Sequence, residues 1–217
     1  MKIYLIPGLG ADRRMYYQQF KVFPQAQVLE HFVPARNVTM PEYAQQMAKG
    51  IDTSEPFALI GTSLGGIISV ELSRILNPEK IILISSVKSR DEMPAFIRSM
   101  KYLRLHRILS GDGYKRFNKL AAKRLDSRGD SQDAALIMEM MNDIPSAFID
   151  WAINAVVHWS PPKEYRSDIV HIHGTNDLLF PIARLKNAIA VPNGSHIMNM
   201  TKGEEVNRLL LEAINGK

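Results

Sequence analysis

The sequence predicts an α/β fold, a mostly parallel sheet of about six strands flanked by helices, with a helical segment inserted between two of the strands. Three observations carry that expectation. Six short runs rich in β-branched residues recur along the chain, at Ile3 to Ile6, Val28 to Val33, Phe57 to Ile60, Ile81 to Ile84, Ile169 to Ile172 and Ala188 to Val191. Each is nearly continuous in apolar residues with little alternation, the pattern of strands buried on both faces of a parallel sheet. Helical periodicity fills the intervals, and one long interval, residues 87–162, carries helical patterns only. A length of 217 residues suits one domain with one sizeable core, and an apolar share of 46% beside 23% charged residues excludes a disordered chain.

Taken in order, the first run stops at the glycine turn Pro7-Gly8-Leu9-Gly10. Met40 to Gly50 reads as a helix, with a proline in its first turn and a glycine at its end. The third run leads into Gly61-Thr62-Ser63-Leu64-Gly65-Gly66 and a helix from Leu64 to Leu76 that stops before Pro78. Beyond the fourth run, helices are expected at Pro94 to Leu109, Tyr114 to Leu125, Gln132 to Met141 and Pro145 to Trp159. The last of these carries Phe148, Trp151, Ala152, Ala155 and Trp159 along one stripe. Glu204 to Ile214 closes the chain with Val206, Leu209, Leu210 and Ala213 at helical spacing. The core is therefore expected from residues 1–86 and 163–217, and the helical insert from residues 87–162.

Charge is unevenly distributed. Between Lys88 and Arg128 lie twelve of the 27 basic residues but four of the 22 acidic ones, so this stretch carries +8 and the rest of the chain −3. A polycationic protein is thereby excluded. The basic residues are not interleaved with a regular series of stacking aromatics, since Phe96, Tyr102, Tyr114 and Phe117 read as helix packing, and no nucleic-acid partner is expected. Cysteine is absent, which excludes disulfides, thiolate metal clusters and a cysteine nucleophile. The first apolar run meets Pro7 too soon to be a signal-peptide core, and no run approaches membrane-spanning length. A cytoplasmic protein without a membrane span is expected.

The sharpest local signal is the G-x-S-x-G at Gly61 to Gly65, because it falls between a strand and a helix. A tight turn there holds the serine in a strained backbone conformation, and glycines two residues before and after it remove side chains that would clash. Ser63 Oγ is then exposed at the sheet edge, with the Leu64 N–H at the positive end of a helix. A serine hydroxyl needs a base, and the base needs an acid to orient it. Asp177 lies in the loop just beyond the fifth run and His196 in the loop beyond the sixth, so all three residues sit past strand C-termini, the rim where parallel sheets assemble their sites. The Leu9 N–H, in the glycine turn after the first run, is expected to pair with the Leu64 N–H as an oxyanion hole.

On these residues the sequence resembles the α/β hydrolases, the superfamily of esterases, lipases, thioesterases and related enzymes. The resemblance covers nearly the whole chain: a nucleophile elbow at Gly61 to Gly65, a glycine turn at Gly8, an acid at Asp177, a base at His196 and a helical lid inserted after the strand ending at Ile84, in the family's order. It implies no metal or organic cofactor, and a small-molecule ester or thioester substrate cleaved through an acyl-enzyme. Acyl transfer, carbon–carbon bond hydrolysis on the same triad, and a non-catalytic binding protein of this fold are the alternatives. Three departures stand out. Pro7-Gly8 replaces the family's frequent His-Gly, the interval from Asp177 to His196 is short enough to imply a reduced helix, and the first strand corresponds to the family's third.

Competing residues are placed as follows. Asp168 precedes its strand and so falls at the wrong end of the sheet, and Ser85 and Ser86 stand where some family members carry the acid. His31, His106 and His158 have no motif around them and read as structural or solvated. His171 and His173 are expected to point to opposite faces of one strand and so to form no metal pair. Met138, Met140, Met141, Met198 and Met200 read as ordinary packing, and Arg13 and Arg14 as a solvated helical turn capped by Asp12.

Overall fold

The computed structural model describes residues 1–103, 113, 131–161 and 168–216. Its centre is a six-stranded, all-parallel sheet of β1 (Lys2–Ile6), β2 (Gln27–Val28), β3 (Phe57–Thr62), β4 (Lys80–Ile84), β5 (Val170–Gly174) and β6 (Ala188–Val191), in the order β2-β1-β3-β4-β5-β6. Parallel pairing needs crossovers; helices supply those from β2 to β3, β3 to β4 and β4 to β5, while 3-10 turns lie between β1 and β2 and between β5 and β6. The helices among the described residues are α1 (Met40–Ala48), α2 (Leu64–Leu72), α3 (Ala95–Leu103), α4 (Ser131–Asp143), α5 (Ser146–His158), α6 (Met198–Thr201) and α7 (Gly203–Asn215). Residues 87–161 contribute no strand among those described; the helix expected at Tyr114 to Leu125 lies outside the described residues.

Local chemistry explains the boundaries. Thr39 and Glu42 form a reciprocal capping box at the start of α1, with Pro41 in its first turn. Strand β3 lies mid-sheet between β1 and β4 and is buried throughout, in keeping with its unbroken apolar sequence. The edges depart from that expectation. Strand β2 is two residues long, not six, because Phe32 and Val33 are exposed and Pro34 follows them; only Leu29 beyond it still bonds to β1, through its N–H to the Leu5 carbonyl at 2.9 Å. Strand β6 is the other edge and leaves Ile189 41% exposed, so it is not buried on both faces. The interval between Asp177 and β6 holds a single 3-10 turn, Ile182–Arg184.

Among the described residues, polar contacts anchor the helices of residues 87–161 on two sides. On one side Trp151 Nε1 donates to the Val38 carbonyl at 2.7 Å, and Trp159 Nε1 donates at 2.8 Å to Glu71, a buried carboxylate on α2 that also pairs with Arg74. On the other side Arg14 bridges Asp12, Glu139 and Asp143, binding α4 to the segment after β1. Asp12 does cap that first turn, accepting from the Arg14 N–H, but Arg14 is an ion-pair hub and not a solvated side chain. Met140, Met141, Met198 and Met200 are buried core residues.

Phe148 is the packing centre of α5. It is 1% exposed and stacks on His31 at 4.6 Å, with Trp151 at 5.6 Å and Tyr43 at 6.2 Å. Phe148→Ala is expected to lower unfolding stability by about 3–5 kcal/mol, read as a reduced urea midpoint at unchanged slope.

Candidate functional site

Ser63 occupies the turn between β3 and α2 with φ 53° and ψ −115°, a left-handed conformation that a residue with a Cβ adopts only when its surroundings enforce it. The surroundings are specific. The Ser63 N–H donates to the Ile84 carbonyl at the end of β4 (2.9 Å), and the Ser63 carbonyl accepts from Ser86 Oγ (2.7 Å) and from the Gly66 N–H (3.0 Å). A methyl group at Gly61 would fall on the Gly65 carbonyl, and one at Gly65 on the backbone of Ile6 and Pro7, so only glycine lets the strand, turn and helix approach this closely. The turn after β1 abuts the serine, since a Cβ on Gly8 would stand 3.3 Å from Ser63 Cβ. Among the described residues, neither the Leu9 nor the Leu64 N–H bonds to a backbone carbonyl, and Leu64 opens α2, where partial positive charge accumulates.

His196 comes from the loop after β6, 133 residues from the serine in sequence, and its Nε2 lies 2.9 Å from Ser63 Oγ. Its Nδ1 lies 2.8 Å from Asp177 Oδ2. Because a carboxylate only accepts, Nδ1 carries the proton and Nε2 is left to accept from the serine hydroxyl. The Phe180 ring meets the imidazole edge-on at 5.5 Å.

Asp177 is fully buried at its side chain, yet well supplied with donors. Oδ1 accepts from the N–H groups of Leu179 (2.8 Å) and Phe180 (2.9 Å), while Oδ2 faces His196 and, at 3.2 Å, His173 Nε2. Burial pushes this carboxyl up, but His196 and His173 beside it outweigh that and hold it well below the usual carboxylate range.

Thus Ser63, His196 and Asp177 are brought into one hydrogen-bonded line, with Leu9 and Leu64 on the two turns that border the serine. Such a line can move a proton from a hydroxyl to an imidazole and hold the resulting cation against a fixed carboxylate.

Three further residues belong to the surroundings. His31 places Nε2 3.0 Å from the Pro7 carbonyl and Nδ1 3.2 Å from Tyr43 Oη, bracing the turn that carries Leu9; burial pushes its pKa down to about 4. Its only sequence signal is a lone histidine between β2 and α1. Ser86 clamps the elbow carbonyl and in turn receives His171 Nε2 on its own carbonyl at 3.0 Å. His171 and His173 do not point to opposite faces: residues two apart on a strand share one face, and their rings meet edge-on at 5.3 Å. No group of three histidine or acidic residues is placed to hold a metal among the described residues. His106 lies outside them, and His158 is exposed with Nδ1 on the Asn154 carbonyl.

No family model matches the chain. No curated protein matches it in sequence. Solved structures do. An esterase from Thermogutta terrifontis is 16% identical, with 100% of this chain and 90% of that one covered at a TM-score of 0.79. An enol-lactonase from Burkholderia xenovorans LB400 is 16% identical over 98% of this chain and 90% of that one, at 0.73. MGS-M2, an alpha/beta hydrolase from a Medee basin deep-sea metagenome library, is 12% identical over 99% and 89%, at 0.72. At such identities the likeness establishes the fold. No helix among the described residues is long and apolar enough to cross a membrane.

Two buried histidines, His31 and His171, make stability depend on pH. Burial, then the charges of His173 and Lys88, push His171 from 6.5 down to about 3. Between those values the unfolded chain binds a proton that the folded chain does not, so stability falls as pH falls, by about 1.4 kcal/mol per unit for this group. Urea midpoints measured from pH 7 to pH 4 are expected to drop less steeply for His171→Leu than for the parent chain.

Proposed function

We propose that this chain, which has the fold of the α/β hydrolases, is a serine hydrolase that cleaves a carboxylic ester or thioester of a small molecule through an acyl-enzyme on Ser63. One observation carries the reading: the unbroken line from Ser63 Oγ to His196 at 2.9 Å and from His196 to Asp177 at 2.8 Å, on a serine held at positive φ. The solved relatives named as an esterase and an enol-lactonase accord with an ester substrate.

Ser63 Oγ attacks the substrate carbonyl carbon as His196 Nε2 takes its proton. The carbonyl oxygen becomes an oxyanion, and the Leu9 and Leu64 N–H groups donate to it. Asp177 keeps the proton of His196 on Nδ1 and stabilises the imidazolium. The intermediate collapses as His196 returns its proton to the departing alcohol or thiol, which leaves Ser63 acylated. Water then attacks the acyl carbon as His196 Nε2 takes its proton, and the second intermediate collapses as His196 returns that proton to Ser63 Oγ, breaking the acyl–serine bond and releasing the carboxylic acid. Residues 87–162 are read as the lid over this chemistry, and the glycine turns at Gly8 and Gly65 as its backbone frame.

Ser63→Ala and His196→Ala are each expected to reduce kcat on short-chain aryl esters by about 10⁶, and Asp177→Asn by about 10⁴. A fluorophosphonate probe is expected to label the parent chain at Ser63 and to leave Ser63→Ala unlabelled. Undiminished hydrolysis by purified Ser63→Ala would end the proposal.

A further inference from the structure

The acid of the site is held by more than its own loop. His173, at the C-terminal end of β5, has no exposed surface, and its Nε2 lies 2.7 Å from the Phe180 carbonyl and 3.2 Å from Asp177 Oδ2. Both neighbours are acceptors, so Nε2 carries the proton, and Nδ1 is left buried without a partner among the described residues. The same turn is closed from the other side by the Phe180 N–H on Asp177 Oδ1. Phe180 therefore receives His173 on its carbonyl, gives its N–H to the carboxylate, and lays its ring against His196. Behind His173 stands His171, which holds the Ser86 carbonyl while Ser86 holds the Ser63 carbonyl. The strand thus braces the acid turn with one histidine and the serine elbow with the other.

We propose that His173 is a positioning residue: its Nε2–H pins the Phe180 carbonyl and faces Asp177 Oδ2, fixing the carboxylate and the aromatic wall against which His196 works. This rests on the serine-hydrolase reading above. His173 touches no reacting atom and acts through Asp177 and Phe180. Its Nε2–H also draws charge from Oδ2, so that the carboxylate stabilises protonated His196 less than an unshared one would. Among the described residues, His171 on the same strand and Asp177 from the loop beyond β5 face it directly; His196 meets the far side of Asp177, and Lys88, paired with Glu92, acts on His171.

The test compares the parent chain, His173→Leu and His173→Gln, whose amide can place an N–H near the position of Nε2. For His173→Leu the expected result is a fall in kcat of about tenfold with little change in KM, from the loss of the hydrogen bond to the Phe180 carbonyl and of the N–H that faces the carboxylate. The acid limb of kcat/KM is expected to move to higher pH, because Oδ2 then faces His196 alone. His173→Gln is expected to restore most of both. A limb that stays in place or moves down in His173→Leu, with kcat retained, overturns the proposal. Nitrogen-15 NMR of the unmutated protein gives a second reading that needs no variant to fold: His173 is expected to carry a proton on Nε2, and an Nδ1–H tautomer with a bare Nε2 overturns the proposal. Activity in Ser63→Ala would instead remove the underlying reading, and the tautomer measurement stands apart from that outcome.

Discussion

Holding a serine at φ 53° and ψ −115° costs about 1–3 kcal/mol, and the middle of the sheet is organised to meet that cost at one residue. Strand β3 lies between β1 and β4, so the end of β4 can supply both an acceptor for the Ser63 N–H and, through Ser86, a donor for its carbonyl. Glycines at 61 and 65 let the turn sit where any side chain would collide with backbone. Helix α2 can then begin at the very next residue, with its first N–H free of backbone partners among the described residues. Relaxing the turn would lose the serine's aim, the helix start and the contact with the turn after β1 together. The strain is local, and its enforcement is distributed over three strands.

The acid end of the line obeys a different constraint, because a buried carboxylate is tolerable only when its oxygens are fully engaged. Asp177 meets this with two backbone N–H groups on one oxygen and two imidazoles facing the other. Backbone donors from the residues just beyond it make the turn and satisfy the charge in one arrangement. The histidines of β5 carry the opposite liability. Each uses Nε2 against a carbonyl and leaves Nδ1 buried without a partner among the described residues.

Much of this was legible in the chain itself, for reasons that differ by residue. Strands β1, β3, β4 and β5 announce themselves because burial on both faces demands continuous apolar runs, and G-x-S-x-G at a strand end identifies the elbow because the sterics admit little else there. Val28 to Val33 looked the same by composition, but it lies at an edge, where Pro34 and the lack of a second partner end pairing after two residues. The histidines were harder. His31 owes its place at the Pro7 carbonyl to a tertiary contact that leaves no local pattern, and His106 lies outside the described residues. His173 did have a signal, its position four residues before Asp177 at a strand end. Assigning it and His171 to opposite faces hid that signal, since the period of two on a strand puts both on one side.

The anchoring of α5 has a consequence for how the molecule is observed. Both tryptophans of the chain, Trp151 and Trp159, lie on that helix or at its end, and both indole N–H groups are spent on the core, one on the Val38 carbonyl and one on the Glu71 carboxylate. Intrinsic tryptophan emission is therefore a gauge of whether this helix is docked, not of whether the sheet is intact. A fluorescence signal and a far-ultraviolet dichroism signal follow different parts of the molecule, and where their transitions separate, the interval between them is the range in which the sheet persists with α5 undocked.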